Sequence, residues 1–98
     1  MLVRKNKIIH KNMARYSNKR IKEIWGKAKI LKGKNPNTWR RDVKGNIIRF
    51  GSYGTKGRYG WEVDHKKPKA KGGSNHIRNL NPLHWQENRK KVINIKII

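Results

Sequence analysis

The chain has 98 residues, no cysteine, and 27 Lys and Arg against 5 Asp and Glu, a formal net charge of +22. That length provides one domain with a modest core, and without cysteine neither a disulfide nor a thiolate-bound zinc is available. A positive excess of this size attracts polyanions, and nucleic acid is the partner it predicts.

AT-biased codon usage accounts for 18 Lys beside 9 Arg. It would also favour Asp and Glu, so it leaves the scarcity of acids unexplained. No apolar run is long enough to span a membrane. The opening residues, MLVRKNKIIHKN, lack the apolar centre of a signal peptide. Basic residues lie all along the chain rather than on one amphipathic helix, which argues against a membrane-surface role.

In chain order, residues 1–16 carry Arg4, Lys5, Lys7, Lys11 and Arg15 without periodicity, the pattern of a flexible basic arm. A single domain is expected over 17–98. Ser17 is a good N-cap for a helix running to about Lys32, with Ile21, Ile24, Trp25, Ala28 and Leu31 on one face. Lys27, Lys29 and Lys32 suit the negative end of its dipole, and Gly33 suits the position just past its end.

Asn35-Pro36-Asn37 interrupts the chain. Thr38–Val43 and Asn46–Phe50 then flank Lys44-Gly45 as a short hairpin or extended arm. Gly51, Gly54, Gly57 and Gly60, interleaved with Tyr53, Lys56, Arg58 and Tyr59, make a loop that either tracks a phosphate backbone or simply connects. Trp61–Asp64 alternates as a strand. Pro68 and Gly72-Gly73 bound another loop. Leu80 and Leu83 mark a second extended piece, in which Pro82 argues against a regular central strand. From Trp85, the positions Trp85, Asn88, Val92 and Ile95 share one helical face.

The segment Trp61–Lys91 carries the chemistry. Asp64-His65 is followed by Gly72-Gly73, by Asn79-Leu80 and by Asn88-Arg89. Phosphodiester cleavage needs a nucleophilic water, charge stabilisation at phosphorus and help for the departing oxygen. A histidine can make the nucleophile and a hard divalent cation can do the rest. Asp64 offers a carboxylate and Asn88 an amide oxygen, a sparse oxygen set that leaves room for water and phosphate. In an extended strand Asp64 and His65 would leave opposite faces, so both flank one phosphate only if the strand ends or bends there.

The spacing resembles the HNH motif of the ββα-metal, or His-Me finger, nucleases. The resemblance implies an α+β fold, with a ββα-metal module at about 60–95 and the N-terminal helix and irregular hairpin packed on it. It implies that His65 is the general base and that Asp64 and Asn88 bind one divalent metal. Mg²⁺ is the expected ion, with Mn²⁺, Ni²⁺ or Zn²⁺ able to substitute in vitro. Asn79 would be the middle Asn, which holds the loop carrying the base and does not touch substrate. Lys66, Lys67, Arg89 and Lys90 are the candidate phosphate contacts.

The implied activity is metal-dependent hydrolysis of DNA, with RNA as the other substrate, by a monomer or weak dimer acting inside the cell wherever DNA is present. The alternative is a catalytically inactive nucleic-acid-binding or packaging protein. Many HNH domains carry two CxxC pairs that bind zinc. Here the positions of the second pair hold His84 and Glu87, so packing through Trp61, Trp85 and the N-terminal helix must replace the metal. His84 is a further candidate for the metal site.

Overall fold

A computed structural model describes residues 16–97, with side chains through Lys91. The expected arm at 1–16 lies outside it except for Tyr16, as do the side chains of Val92 and Ile95. Helix α1 (Asn18–Trp25) is capped at Ser17, whose hydroxyl accepts the Arg20 N–H at 3.1 Å. Its buried stripe is Ile21, Ile24 and Trp25.

The helix ends seven residues earlier than its periodicity suggests. After Gly26 the chain tightens, with Lys27 N–H bonded to Ile24 and Ala28 N–H to Trp25. It then becomes strand β1 (Lys29–Ile30). Two long-range interactions outweigh the local pattern. The Arg40 guanidinium donates to the Gly26 and Ala28 carbonyls at 3.2 and 3.1 Å, and Lys29–Ile30 pairs with Arg41–Arg40 of the neighbouring strand. Gly33 therefore sits in a turn beyond β1 and does not cap a helix.

The hairpin is present as β2 (Trp39–Arg41) and β3 (Ile47–Arg49), antiparallel with Trp39 opposite Arg49 and Arg41 opposite Ile47. The second sheet pairs β4 (Trp61–His65) with β5 (Leu80–His84), Asp64 opposite Asn81 and His65 opposite Leu80. Pro82 lies inside β5, opposite Val63. The sheet has only two strands, so a residue without an N–H costs β5 no central ladder bond. Helix α2 (Trp85–Ile97) follows directly, completing strand, loop, strand, helix.

Strand β4 has two working faces. Trp61 and Val63 join the core formed by Ile21, Ile24, Trp25, Ala28, Ile48 and Leu80. The Trp61 ring lies 5.3 Å from Trp25 and 4.9 Å from Tyr53. Glu62 and Asp64, both buried, face α2 through polar contacts. Indole N–H groups secure the loops: Trp25 donates to Pro36, Trp61 to Phe50 and Trp85 to Gly57, at 2.8, 3.2 and 2.8 Å.

Asp42, only 1% exposed, joins the two sheets. Its carboxylate accepts the backbone N–H groups of Lys44, Asn46 and His84 and the Asn46 side-chain amide. It thus closes the β2–β3 turn and holds that turn against the β5–α2 junction. Asp42→Ala leaves these donors without their acceptor and should lower the unfolding free energy by about 2–4 kcal/mol. Urea denaturation reads this directly, and a loss below about 0.5 kcal/mol would show that water replaces the carboxylate without penalty.

Candidate functional site

The loop between β4 and β5 is built around Asn79. Its Oδ1 accepts the Lys67 N–H at 2.9 Å, and its Nδ2 donates to the Lys67 and Ser74 carbonyls at 3.2 and 2.8 Å. Its own carbonyl accepts the Lys66 N–H at 2.8 Å. Both ends of the loop are thereby tied to one side chain directly after His65.

Gly72 and Gly73 make this folding feasible. Gly72 has φ +86°, where a side chain would be strained. A Cβ on Gly73 would fall 1.7 Å from the Lys67 carbonyl oxygen, so only glycine fits that approach. Helix α1 and the turn that follows it brace the same loop from behind. The Lys27 ammonium donates to the carbonyls of Ile77 and Leu80, and Arg20 donates to that of Asn75. Burial, followed by the nearby charges of Lys66 and Arg20, holds the Lys27 pKa below its ordinary value.

His65 is the last residue of β4, which stays extended through it, so Asp64 and His65 leave opposite faces of the strand. The His65 Nε2 lies 2.8 Å from Asn75 Oδ1. An amide oxygen only accepts, so with the amide in this orientation Nε2 carries the proton and Nδ1 is the basic atom.

Asp64, 6% exposed, is paired at 2.5 Å with the Lys91 ammonium, which also approaches the His65 carbonyl at 3.4 Å. One helical turn away, Asn88 donates Nδ2 to Glu62 Oε1 at 2.9 Å. Arg89 is ion-paired with Glu62 at 2.8 Å, a hydrogen bond that raises the pKa of its guanidinium. Spacings of two along β4 and three along α2 thus match: Glu62 meets Asn88, and Asp64 meets Lys91.

A cavity of about 550 Å³ opens at Asp64, with Lys44, Lys66, Lys90 and Lys91 and a second carboxylate, Glu87, in its walls; Glu87 pairs with Lys90 at 3.7 Å. The predicted residues divide around it. Asp64, Lys66 and Lys90 line it, whereas His65, Asn88, Lys67 and Arg89 do not. The structure does not bring His65, Asp64 and Asn88 to one shared contact. Arg89 lies against Glu62, away from the expected phosphate.

His84 is structural. Its Nδ1 accepts the Gln86 N–H in the first turn of α2, and its Nε2 lies 2.8 Å from the Arg58 carbonyl, so both nitrogens are committed. Glu62 and Asn75 escaped the sequence reading, and Lys91 was marked only as the end of the Asn88–Lys91 run. For Glu62 a signal existed, since an acid two residues before Asp64 shares its face of the strand.

Residues 51–92 match the HNH endonuclease family model. No curated protein and no solved structure matches the chain. HNH nucleases act on nucleic acid and generally use a divalent metal.

The donors available here suit a hard cation. Among the described residues no group of three or more His, Cys, Asp or Glu could hold a metal. Asp64 and Asn88 offer a carboxylate and a carbonyl oxygen, and a site this sparse needs water and phosphate oxygens to complete it. A cation already lies against Asp64, in the form of the Lys91 ammonium on its flexible stem.

Asn79→Ala removes the acceptor of the Lys67 amide. Hydrogen exchange at Lys67 should accelerate roughly five- to tenfold, the effect of losing a bond worth about 1 kcal/mol. Unchanged protection would mean that Asn79 does not hold the loop.

Proposed function

We propose, from the match of residues 51–92 to the HNH endonuclease family model, that the chain is a divalent-metal-dependent DNA endonuclease. One observation carries this reading: a buried carboxylate, Asp64, opens on a cavity with four lysines in its walls. Lysines alone would make an anion site. A buried carboxylate among them repels phosphate unless a cation lies beside it, a place the Lys91 ammonium now fills and a divalent ion would take over.

In this reading Lys44, Lys66 and Lys90 draw a phosphate into the cavity and offset its charge. Asp64 and the Oδ1 of Asn88 would hold the metal, the ion taking the place that the Lys91 ammonium occupies beside Asp64. Glu62 fixes the Asn88 amide: a carboxylate only accepts, so it holds Nδ2 and leaves Oδ1 for the ion. When bound, the metal supplies stabilisation of the added negative charge and of the departing oxygen. His65 takes the proton of the attacking water at Nδ1, with Asn75 fixing its tautomer. Asn79 keeps the His65 loop in place without touching substrate. One site cuts one strand, so a monomer nicks, and a double-strand break takes a dimer or two encounters. DNA is the substrate by family resemblance.

Plasmid nicking in Mg²⁺ or Mn²⁺ should stop with EDTA and fall by about 10²- to 10⁴-fold in His65→Ala. Equal cutting by the two proteins would remove His65 from the mechanism. Mn²⁺ calorimetry separates the ligands from their support. Asn88→Ala and Glu62→Gln should each weaken binding, the second less because a glutamine oxygen can still accept. Glu62→Ala should add nothing once Asn88 is alanine, and an additive loss would show that Glu62 does not act through Asn88.

The second reading, a nuclease-derived domain that binds nucleic acid without cutting, is favoured by one observation. His65 and Asn88 are hydrogen-bonded away from the Asp64 cavity. It predicts tight, salt-sensitive binding and no EDTA-sensitive cleavage.

A further inference from the structure

The Asp64 cavity has a neighbour across the β2–β3 turn. Val43 and Lys44 of that turn line the cavity, and Gly45 and Asn46 line a second concavity of about 330 Å³. Arg41, Ile47, Arg58 and Tyr59 line this groove as well. Through Arg41 and Ile47 the groove continues onto the outer face of the three-stranded sheet.

Strand register defines that face. Lys29 pairs with Arg41, Arg41 with Ile47, and Trp39 with Arg49, so these side chains leave the same side. Ile48, fully buried, marks the opposite side. Lys29, Arg41 and Arg49 are exposed, and Trp39 and Tyr59 are half-buried. The two rings meet edge to face at 5.0 Å, and the Arg58 guanidinium lies 5.5 Å from the Tyr59 ring centre. None of the five carboxylates lies here: Asp42, Glu62 and Asp64 are buried, and Glu23 and Glu87 belong to the two helices.

Positive charge alone does not single out one face of a protein at +22. Two features do: accessible aromatic rings set among guanidinium groups, and a continuous path across one turn to the Asp64 cavity. A duplex offers phosphates but keeps its base faces stacked inside. An unpaired strand offers both, phosphates for arginine and bases for the rings. We propose that the groove and sheet face bind the unpaired strand flanking the phosphate to be cut, so that the preferred substrate carries a single-stranded segment beside the scissile bond. The word scissile rests on the nuclease reading of the Asp64 cavity, whereas binding at the groove does not.

The test is fluorescence anisotropy of the full chain in EDTA, with a short labelled DNA single strand and a blunt duplex of the same sequence. Arg41→Glu/Arg49→Glu is compared with Lys19→Glu/Lys22→Glu, an equal charge change on exposed positions of α1. The sheet-face pair should weaken single-strand binding about tenfold more than the helix pair, while the duplex loses no more than with the helix pair. Trp39→Leu should weaken single-strand binding about fivefold or more. Trp39→Phe should keep the affinity and lose part of the tryptophan quenching on binding, which decides the case even if the leucine variant fails to fold.

Equal losses from the two charge-reversed pairs, or a duplex weakened as much as the single strand, would overturn the proposal. Binding is measured without metal, so the two readings fail separately. A chain that binds as described but never cuts refutes the nuclease and leaves the groove. A chain that cuts without preferring the unpaired strand refutes the groove alone.

Discussion

Three buried carboxylates, in a chain with 27 Lys and Arg, fix how the parts of this molecule meet. Asp42 holds the hairpin turn to the β5–α2 junction through backbone N–H groups. Glu62 and Asp64 hold α2 to β4 through Asn88, Arg89 and Lys91. The apolar core lies on the other side of β4, where Trp61 meets Trp25 and Ile24. Core packing therefore sets where β4 runs, and carboxylate pairing sets how α2 lies across it. The same contacts place Asn88 and Lys91 beside the carboxylates, so fold and candidate site share one set of interactions. Replacing Arg89 or Lys91 leaves a buried carboxylate short of its partner, which is more costly than losing an exposed ion pair.

What could be read from the sequence was what local chemistry determines. Ser17 caps its helix as its side chain dictates, the Lys44-Gly45 turn joins two strands, and β4 alternates between two faces. The Gly72-Gly73 pair was visible as a turn, although the reason for Gly73, the closeness of the Lys67 carbonyl, is a matter of tertiary contact. Local rules misjudged the end of α1. The residues after Gly26 keep a helical stripe, yet Arg40, fourteen positions on, captures the carbonyls that a longer helix would have used. Strand β1 was invisible for the same reason, since two residues acquire their conformation only from the partner strand. Pro82 reads as it should: its missing N–H argues against a central strand, and β5 belongs to a sheet of two.

The site was legible as a set of residue types and not as an arrangement. Asp64, His65, Asn79 and Asn88 stand out by spacing, and Asn79 bonds the backbone of Lys67 and Ser74. Their partners did not stand out. Lys91 lies 27 positions from Asp64 and Glu62 lies 26 from Asn88, and among 27 cationic side chains nothing local marks one lysine or one arginine as paired. The overall charge was likewise plain, while its division into a lysine-walled cavity and an arginine-aromatic sheet face depends on register.

The account comes down to which cation Asp64 holds during function. Crystals soaked in Mn²⁺ and measured at its absorption edge would locate the ion by anomalous scattering. A metal held by Asp64 and Asn88 gives one peak within bonding distance of an Asp64 oxygen and of Asn88 Oδ1, with the Lys91 ammonium moved off the carboxylate. A peak elsewhere, or Lys91 still seated on Asp64 with no ion beside it, would contradict it.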